Sequence, residues 1–229
     1  MVGAKPINKD LFDKTAARAA EYQAAKPFPH GTLDPLCDPA FLSGVREEVF
    51  EQNLNAKETD LYRLRQSVDF SNLTAEALKN QPEIAASLKH VLQLRDALYS
   101  NEFRGLVSKI SGCGDLSTKV DLAASLYTNG SHLLLHDDVI STRKIAFIVY
   151  LTEPDSEEEG EGGPFWTEED GGCLELFPAD PEHAMHPGIN PTKRILPRFN
   201  RFAFFTVEAG KSFHAVQEVF AMEKDRLSI

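Results

Sequence analysis

Cysteine is scarce in this chain of 229 residues, and the few thiols are far apart. They lie at Cys37, Cys113 and Cys173, an odd number whose spacing does not fit a zinc site. This pattern is typical of reduced thiols in a cytoplasmic or nuclear protein. We therefore expect cytoplasmic or nuclear localisation and no disulfide framework.

Long apolar runs are also missing. No stretch reaches the roughly 20 apolar residues that a membrane-spanning helix needs. The first ten residues, MVGAKPINKD, contain no apolar segment of the kind found in secretory signals. We therefore expect no membrane association. With 42% hydrophobic and 26% charged residues, the composition is that of a folded globular protein with one substantial core.

Positive charge is the third shortage, because 24 Lys and Arg residues stand against 35 Asp and Glu, a net charge of -11. No basic stripe is present, so direct nucleic-acid binding is not expected. Most of the excess lies in one run without Lys or Arg, formed by Glu153, Asp155, Glu157, Glu158, Glu159, Glu161, Glu168, Glu169 and Asp170. Such a run is usually a solvated loop; the alternative is that it attracts a basic partner.

Helical periodicity dominates the first half of the chain. Helices are predicted at 8–22, at 40–53 behind an Asp38-Pro39 start signal, from Pro82 onward, and at 101–110. A short strand is predicted at 32–37, whereas residues 59–70 are ambiguous.

From about residue 119 the pattern changes to short strands separated by turns. They are predicted at 121–127, 132–138, 144–151, 172–177, 201–207, 213–219 and 226–229. Short strands without intervening helices favour an antiparallel sandwich or barrel. We therefore predict an α+β, mainly β, fold. Residues 1–118 would form a helical region packed on one sheet, and residues 119–229 the β-rich core, together making one domain.

The strand predicted at 132–138 ends in a possible metal-binding pair. His136 and Asp138 are two residues apart, a spacing that places both on one face of an extended chain. His214 lies on a later predicted strand, in the sequence SFHAV. Two His and one carboxylate on one face of a metal leave its other positions open, as in non-haem Fe(II) oxygenases. The alternatives are an ordinary strand end and a core histidine.

Other possible ligands are weaker candidates. His132 shares the predicted face of the metal-binding pair, and we interpret it as a supporting or solvent-facing residue. Asp137 is expected to point to the opposite face. His183 and His186 lie in a Pro- and Gly-rich loop, and Glu175 has no His two residues away.

Arg226 begins the last apolar segment and is a candidate ligand for a carboxylate. A guanidinium inside a barrel is costly unless it is paired, and its planar fork suits a carboxylate. In a 2-oxoglutarate-dependent oxygenase such an Arg binds the distal carboxylate of the cosubstrate. Tyr150 could donate a hydrogen bond to the same group, and Tyr127 could line the cavity. In another sandwich both tyrosines would be ordinary core residues.

Several segments together resemble the catalytic domain of the eukaryotic ribosomal prolyl 3-hydroxylases, in the prolyl-hydroxylase branch of the Fe(II)/2-oxoglutarate oxygenases. They are LLLHDDVISTRKIAFIVYLTEP, GGCLELF, FNRFAFFTV, FHAVQEV and EKDRLSI. The similarity is strongest from about Leu122 onward. It implies a double-stranded β-helix, or jelly roll. It places Fe(II) at His136, Asp138 and His214, and 2-oxoglutarate at Arg226 and Tyr150, with Tyr127 less securely placed.

The resemblance also implies a reaction. O2 would be the second cosubstrate and ascorbate a supporting reductant. The substrate would be one proline of a basic small-subunit ribosomal protein near the decoding centre, with an effect on translation accuracy and termination. Two alternatives stay open: a 2-oxoglutarate oxygenase acting on a transcription-factor proline, and a non-catalytic binding module that responds to oxygen or 2-oxoglutarate.

Two features depart from the family pattern. The family usually continues into a second jelly roll, whereas this chain stops three residues after Arg226, so we expect a shorter homologue or part of a longer protein. The acidic insertion after Leu151 is also longer than expected.

Overall fold

A computed structural model describes residues 6–155, 165–183 and 185–229 of the chain. Within these ranges there are six α-helices and eleven β-strands. Four members of the predicted acidic run lie outside the described residues, namely Glu157, Glu158, Glu159 and Glu161.

The helices lie in the first half of the chain, as the periodicity predicts. They are α1 (Thr15–Ala24), α2 (Pro39–Phe50), α3 (Ala75–Leu78), α4 (Pro82–Ser87), α5 (Lys89–Leu98) and α6 (Asn101–Ser111). The start signal of α2 is confirmed, because the Asp38 side chain accepts a hydrogen bond from the Phe41 backbone N–H at 3.1 Å. The single helix predicted at 8–22 is wrong. A 3-10 turn at Lys9–Phe12 precedes α1, and Lys14 between them has a φ of 56°.

The strands form two antiparallel sheets. They are β1 (His30–Leu33), β2 (Asn55–Glu58), β3 (Tyr62–Gln66), β4 (Ser125–Tyr127), β5 (His132–His136), β6 (Ile145–Val149), β7 (Leu174–Leu176), β8 (Lys193–Ile195), β9 (Phe202–Thr206), β10 (His214–Val216) and β11 (Arg226–Ser228). The minor sheet has the order β1-β9-β6. The major sheet has the order β11-β4-β3-β5-β10-β7-β8, with β2 paired to β3. This confirms the predicted α+β jelly roll.

Strands from before residue 119 take part in both sheets. β1 pairs with β9 at the edge of the minor sheet, and β3 lies between β4 and β5 in the major sheet. The ambiguous residues 59–70 therefore contain a central strand, and β2 and β8 were not predicted. The division of the chain at residue 118 stays a prediction, but the first 118 residues supply strands as well as helices.

The helices cover the outer face of the minor sheet. Tyr22 of α1 stacks on Phe204 with 5.0 Å between ring centres, and Phe103 of α6 meets Phe202 edge to face at 5.2 Å. Alternate residues of β9, Ala203 and Phe205, are buried between the sheets instead. The sheets therefore enclose an interior that the helices do not reach. No helix in the described ranges has the length and apolar character of a membrane span.

Candidate metal and cosubstrate site

Neighbouring strands of the major sheet bring His136 and His214 together. His136 ends β5, His214 begins β10, and the two residues are direct partners in the antiparallel pair. Their ring centres are 4.1 Å apart. The Nε2 atoms of His136 and His214 lie 3.5 Å and 3.7 Å from the two carboxylate oxygens of Asp138. One atom from each of the three residues therefore falls within 4.8 Å of the others, a cluster that could hold a metal ion.

Backbone carbonyls fix the tautomer of both imidazoles. Nδ1 of His136 lies 2.8 Å from the Leu134 carbonyl oxygen, and Nδ1 of His214 lies 2.8 Å from that of Ser212. A carbonyl only accepts, so each Nδ1 carries the proton in the neutral ring and each Nε2 keeps its lone pair. Both rings thus direct a free nitrogen at the cluster, which is the orientation that metal-binding histidines have.

Asp138 reaches the cluster through a turn. The strand predicted to continue to residue 138 ends at His136, and Asp138 has a φ of 61° in the left-handed region. The i, i+2 alternation used for the prediction therefore does not hold at this residue. A left-handed non-glycine residue is strained, and such strain is concentrated at functional sites.

A β-bulge removes the predicted equivalence of His132 and His136. Opposite Val216 stands Leu133, so the β5 strand advances by three residues where β10 advances by two. Leu133 packs in a cluster with Val216, and alternation then gives the adjacent His132 the other face. His132 is accordingly outside the metal-binding cluster of the described residues, and its Nδ1 lies 3.1 Å from the Gly130 carbonyl oxygen.

Asp137 is not part of the metal cluster, but it stabilises the turn beside it. Its Oδ2 accepts a hydrogen bond from the Gly210 N–H at 3.3 Å, and its carbonyl accepts one from the Ser212 hydroxyl at 3.0 Å. These contacts tie the turn that carries Asp138 to the segment that leads into His214. His183 and Glu175 are engaged elsewhere, with Asp180 and Arg194 respectively.

The electrostatics of the cluster favour one carboxylate and one neutral imidazole. Burial alone would raise the pKa of Asp138, but the hydrogen bond with His136 and nearby positive charges lower it to about 2. Burial lowers the pKa of His214 to about 4, helped by the proximity of His136. Burial opposes the charged form of His136, but its contact with Asp138 raises the pKa overall.

Sequence reasoning missed Arg143 as a partner of Asp138. Its Nη1 lies 3.1 Å from Oδ1 of Asp138, and its Nη2 lies 2.7 Å from Oδ2 of Asp121. Arg143 therefore orients the carboxylate of the candidate ligand. The only signal was its position in the loop after Asp138.

Arg226 is buried and incompletely paired. It is 1% exposed and lies on β11, next to β4 in the major sheet. Its Nε donates to the Gly172 carbonyl at 2.7 Å and its Nη1 to the Ser228 hydroxyl at 3.4 Å, whereas Nη2 has no partner among the described residues. A buried guanidinium N–H without a partner is costly, which points to a ligand with acceptor oxygens.

Two tyrosines lie beside this guanidinium. The ring centres of Tyr127 and Tyr150 are 4.6 Å and 5.2 Å from the guanidinium carbon of Arg226. The Tyr150 hydroxyl is buried and makes no hydrogen bond of good geometry within the described part of the chain, although Arg226 is near enough to lower the pKa that burial raises. Two unpaired donors, Nη2 of Arg226 and the Tyr150 hydroxyl, thus share one buried space, and a carboxylate would satisfy both.

The fold and these residues together have the features of the Fe(II)/2-oxoglutarate oxygenases. Residues 122–229 match the 2OG-Fe(II) oxygenase superfamily. The family uses Fe(II), 2-oxoglutarate and O2. The residues present fit these groups. Three possible ligand atoms lie within 4.8 Å of one another, and two buried donors without a partner among the described residues could bind an anion.

Among characterised proteins, the chain is similar to prolyl 3-hydroxylases. It is 40% identical over 208 residues to "Prolyl 3,4-dihydroxylase OGFOD1" of Ostreococcus tauri, covering 89% of this chain and 37% of the relative. It is 35% identical over 204 residues to "Prolyl 3-hydroxylase OGFOD1" of Xenopus laevis, covering 89% and 34%. The predicted resemblance is confirmed, and the chain spans little more than a third of the length of these curated relatives.

Solved structures support the fold. A prolyl hydroxylase from Trichoplax adhaerens, in complex with a hypoxia inducible factor oxygen degradation domain peptide fragment, superposes with a TM-score of 0.60 at 12% identity. The match covers 96% of this chain and 89% of that one. At this identity the likeness concerns the architecture.

Proposed function

We propose that this chain is an Fe(II)- and 2-oxoglutarate-dependent prolyl hydroxylase. The observation that carries the proposal is the pair of unpaired buried donors on Arg226 and Tyr150, in the same jelly roll as the His136, Asp138 and His214 cluster. A plain sandwich core would not keep two such donors unsatisfied. The names of the similar proteins support proline as the oxidised residue.

Each residue has a distinct role in this proposal. His136, Asp138 and His214 hold Fe(II), and Arg143 and the backbone carbonyls orient these ligands. Arg226 and Tyr150 bind the distal carboxylate of 2-oxoglutarate. When bound, iron, 2-oxoglutarate and O2 supply the oxidising chemistry, with succinate and CO2 as coproducts, and ascorbate acts as a supporting reductant.

Tyr127 contributes packing and exclusion of water. It is 4% exposed, and its ring face lies against the Arg226 guanidinium. The negative face of the ring attracts the guanidinium and restricts its orientation before a ligand binds. The cosubstrate carboxylate would therefore meet a preorganised partner.

The substrate peptide would enter beside Asp138. A cavity of about 500 Å³ lies between the helices and the outer face of the minor sheet, beside Tyr99 and Phe147, and it reaches Asp138, Arg143 and Ile140. Ile140 is 59% exposed although it is apolar. We propose that this cavity receives an apolar side chain close to the target proline.

The target that we propose is one proline of a basic small-subunit ribosomal protein near the decoding centre. The sequence resemblance supports this, and the net charge of -11 suits a basic substrate. An effect on translation accuracy and termination, and a place in the cytoplasm or nucleus, belong to the same proposal. A transcription-factor proline is the alternative, and a non-catalytic binding module is the rival from another class.

Mass spectrometry separates these possibilities. Ribosomal small subunits and a transcription-factor peptide would each be incubated with the enzyme, Fe(II), 2-oxoglutarate, ascorbate and O2. We expect one proline of one ribosomal protein to gain oxygen, and the same reaction with His136→Ala to give none. Oxygen gained only by the transcription-factor peptide would overturn the ribosomal target. Partner binding without any oxygen gain would favour the binding module.

A further inference from the structure

The carbonyl of Gly172 holds the Arg226 side chain in place. It accepts the Arg226 Nε hydrogen bond at 2.7 Å, which sets the direction of the guanidinium plane. Gly172 has a φ of 65°, and a Cβ at this position would lie 2.9 Å from Cδ of Arg226. Only a residue without a side chain therefore fits this close approach. The orientation of the arginine depends on where the backbone at Gly172 is held.

Residues 165–172, called the bracing segment below, hold this backbone from one side. The indole N–H of Trp166 donates to the Gly171 carbonyl at 2.8 Å, and Trp166 is 1% exposed. The backbone N–H groups of Phe220 and Ala221 donate to the Asp170 carbonyl at 2.8 Å and 3.2 Å. The bracing segment is thus fixed to the chain stretch that leads into Arg226.

Lys224 adds a charged contact between the bracing segment and the stretch of chain that leads into Arg226. Its Nζ donates to Oδ2 of Asp170 at 2.9 Å and to the Phe165 carbonyl at 2.8 Å. The same Nζ lies 5.2 Å from the Phe165 ring centre. Lys224 precedes Arg226 by two residues. Residues 224–226 therefore contact the bracing segment at Phe165 and at Asp170, and they also include Arg226.

The Asp170 carboxylate links the lysine to the turn before Gly171. Its Oδ2 also accepts hydrogen bonds from the Thr167 N–H at 2.8 Å and the Thr167 hydroxyl at 3.0 Å. Removing the Lys224 ammonium would leave this carboxylate without its cationic partner and the Phe165 carbonyl without its donor. Charge-assisted hydrogen bonds are stronger than neutral ones, so loss of the ammonium weakens the attachment of the bracing segment.

We propose that Lys224 is a positioning residue for 2-oxoglutarate, an inference that rests on the proposed function. Within the described residues, the side-chain contacts of Lys224 are with Asp170 and Phe165, and Lys224 is not part of the metal cluster. It acts through the bracing segment and the Gly172 carbonyl on the direction of the Arg226 guanidinium. Binding of the distal carboxylate is therefore sensitive to Lys224, whereas binding of the metal is not.

The experiment measures equilibrium binding by calorimetry under argon. Mn(II) is titrated first into the wild type and the variants Lys224→Met, Lys224→Arg and Arg226→Met, and 2-oxoglutarate is titrated next. Lys79→Met is the matched control, because Lys79, the C-cap of α3, forms an exposed ion pair with Glu76 at the same 2.9 Å distance. Thermal unfolding of each apo-protein reports whether it is folded.

For Lys224→Met we expect 2-oxoglutarate affinity to fall on the order of tenfold, since small misplacements of a binding group are costly. Mn(II) affinity stays unchanged, Lys224→Arg recovers most of the loss, and Lys79→Met behaves as the wild type. An unchanged 2-oxoglutarate affinity in Lys224→Met, or an equal loss for Mn(II), overturns the inference. If Arg226→Met also binds 2-oxoglutarate normally, the proposed cosubstrate site fails as well; if only Arg226→Met is impaired, that site stands and Lys224 has no positioning role.

Discussion

Arg226 and Tyr150 are buried side by side, with 5.2 Å between the guanidinium carbon and the ring centre, and each has one polar atom without a partner among the residues that the structure describes. In a protein without ligand this arrangement is unfavourable, because buried donors lose water without gaining a partner. The same two atoms are satisfied together when a carboxylate is bound. Stability and cosubstrate affinity should therefore respond in opposite directions when one of these groups is removed.

Tyr150→Phe tests this opposition. We expect the apo-protein to gain about 1 kcal/mol in the free energy of unfolding, because an unsatisfied buried hydroxyl is removed without loss of ring packing. The affinity for 2-oxoglutarate should fall in the same variant. Chemical denaturation and calorimetry measure the two quantities.

Tyr22→Phe is the matched control for that experiment. The Tyr22 hydroxyl is paired with the Thr206 hydroxyl at 2.9 Å. Its removal should lower the free energy of unfolding by about 1 kcal/mol and leave 2-oxoglutarate binding unchanged. Loss of stability in Tyr150→Phe comparable to that in Tyr22→Phe would show that the Tyr150 hydroxyl has a partner in the apo-protein.

The geometry of the metal cluster predicts that all three of its residues are needed for metal binding. His136→Ala, Asp138→Ala and His214→Ala should each weaken Mn(II) binding more than about 100-fold, beyond the loss expected for an outer-shell residue. His183→Ala should bind as the wild type, because His183 pairs with Asp180 in a loop outside the cluster. Electron paramagnetic resonance of free Mn(II) gives the bound fraction. Normal binding by any of the three variants would remove that residue from the ligand set.

Thiol chemistry should distinguish the three cysteines. Burial raises the pKa of Cys37 to about 12 and that of Cys173 to about 11, so both stay protonated at pH 8. The thiolate is the reactive form, and Cys113 is the partly exposed thiol of the three. With iodoacetamide at pH 8 we expect rapid modification of Cys113 and modification of the other two only after unfolding. Intact-mass spectrometry counts the labels, and early labelling of Cys173 would mean that the interior opens readily.

The Asp170 carboxylate should make stability depend on pH. Burial alone would raise its pKa, but hydrogen bonds from Thr167 and the Lys224 ammonium lower the pKa overall. A carboxyl group with a depressed folded-state pKa stabilises the folded state above its unfolded value of about 3.9, and this contribution is lost as pH falls further. Asp170→Asn should therefore be less stable than the wild type at pH 7, and the difference should disappear in acid.

Urea unfolding at a series of pH values between 7 and about 3 measures this difference. Glu76→Gln is a suitable control, since its ion pair with Lys79 is exposed and such pairs contribute little. A difference between Asp170→Asn and the wild type that widens toward low pH would contradict the predicted sign.

The sequence indicated the residues of the candidate site, whose roles stay predictions, but it did not predict the order of the major sheet. His136, Asp138, His214 and Arg226 follow residue chemistry at recognisable positions, and the structure brings the first three together. Strand β3 was ambiguous because its residues Tyr62–Gln66 mix charged and apolar side chains. Its central place depends on pairing with strands that lie 59 to 71 residues away in the chain, which local periodicity does not encode.

The roles of Arg143 and Lys224 were missed for a related reason. Both are surface-type residues in irregular segments, and their partners, Asp138 and Asp170, are identified only by the folded geometry. The bulge between Leu133 and His136 is likewise invisible to a strict alternation rule. The sequence thus indicated three residues that the structure brings together, whereas the groups that orient them are identified only by the folded geometry.

Because β3 lies between β4 and β5, the major sheet is continuous only when the hairpin formed by β2 and β3 is in place. Without residues 55–66, β4 and β5 would each lose their common neighbour and expose backbone donors and acceptors that favour aggregation. A fragment beginning at residue 119 should therefore not fold by itself. We expect a protein without residues 55–66 to bind metal only when a synthetic peptide of these residues is added. The peptide would pair with β5 and restore the position of His136.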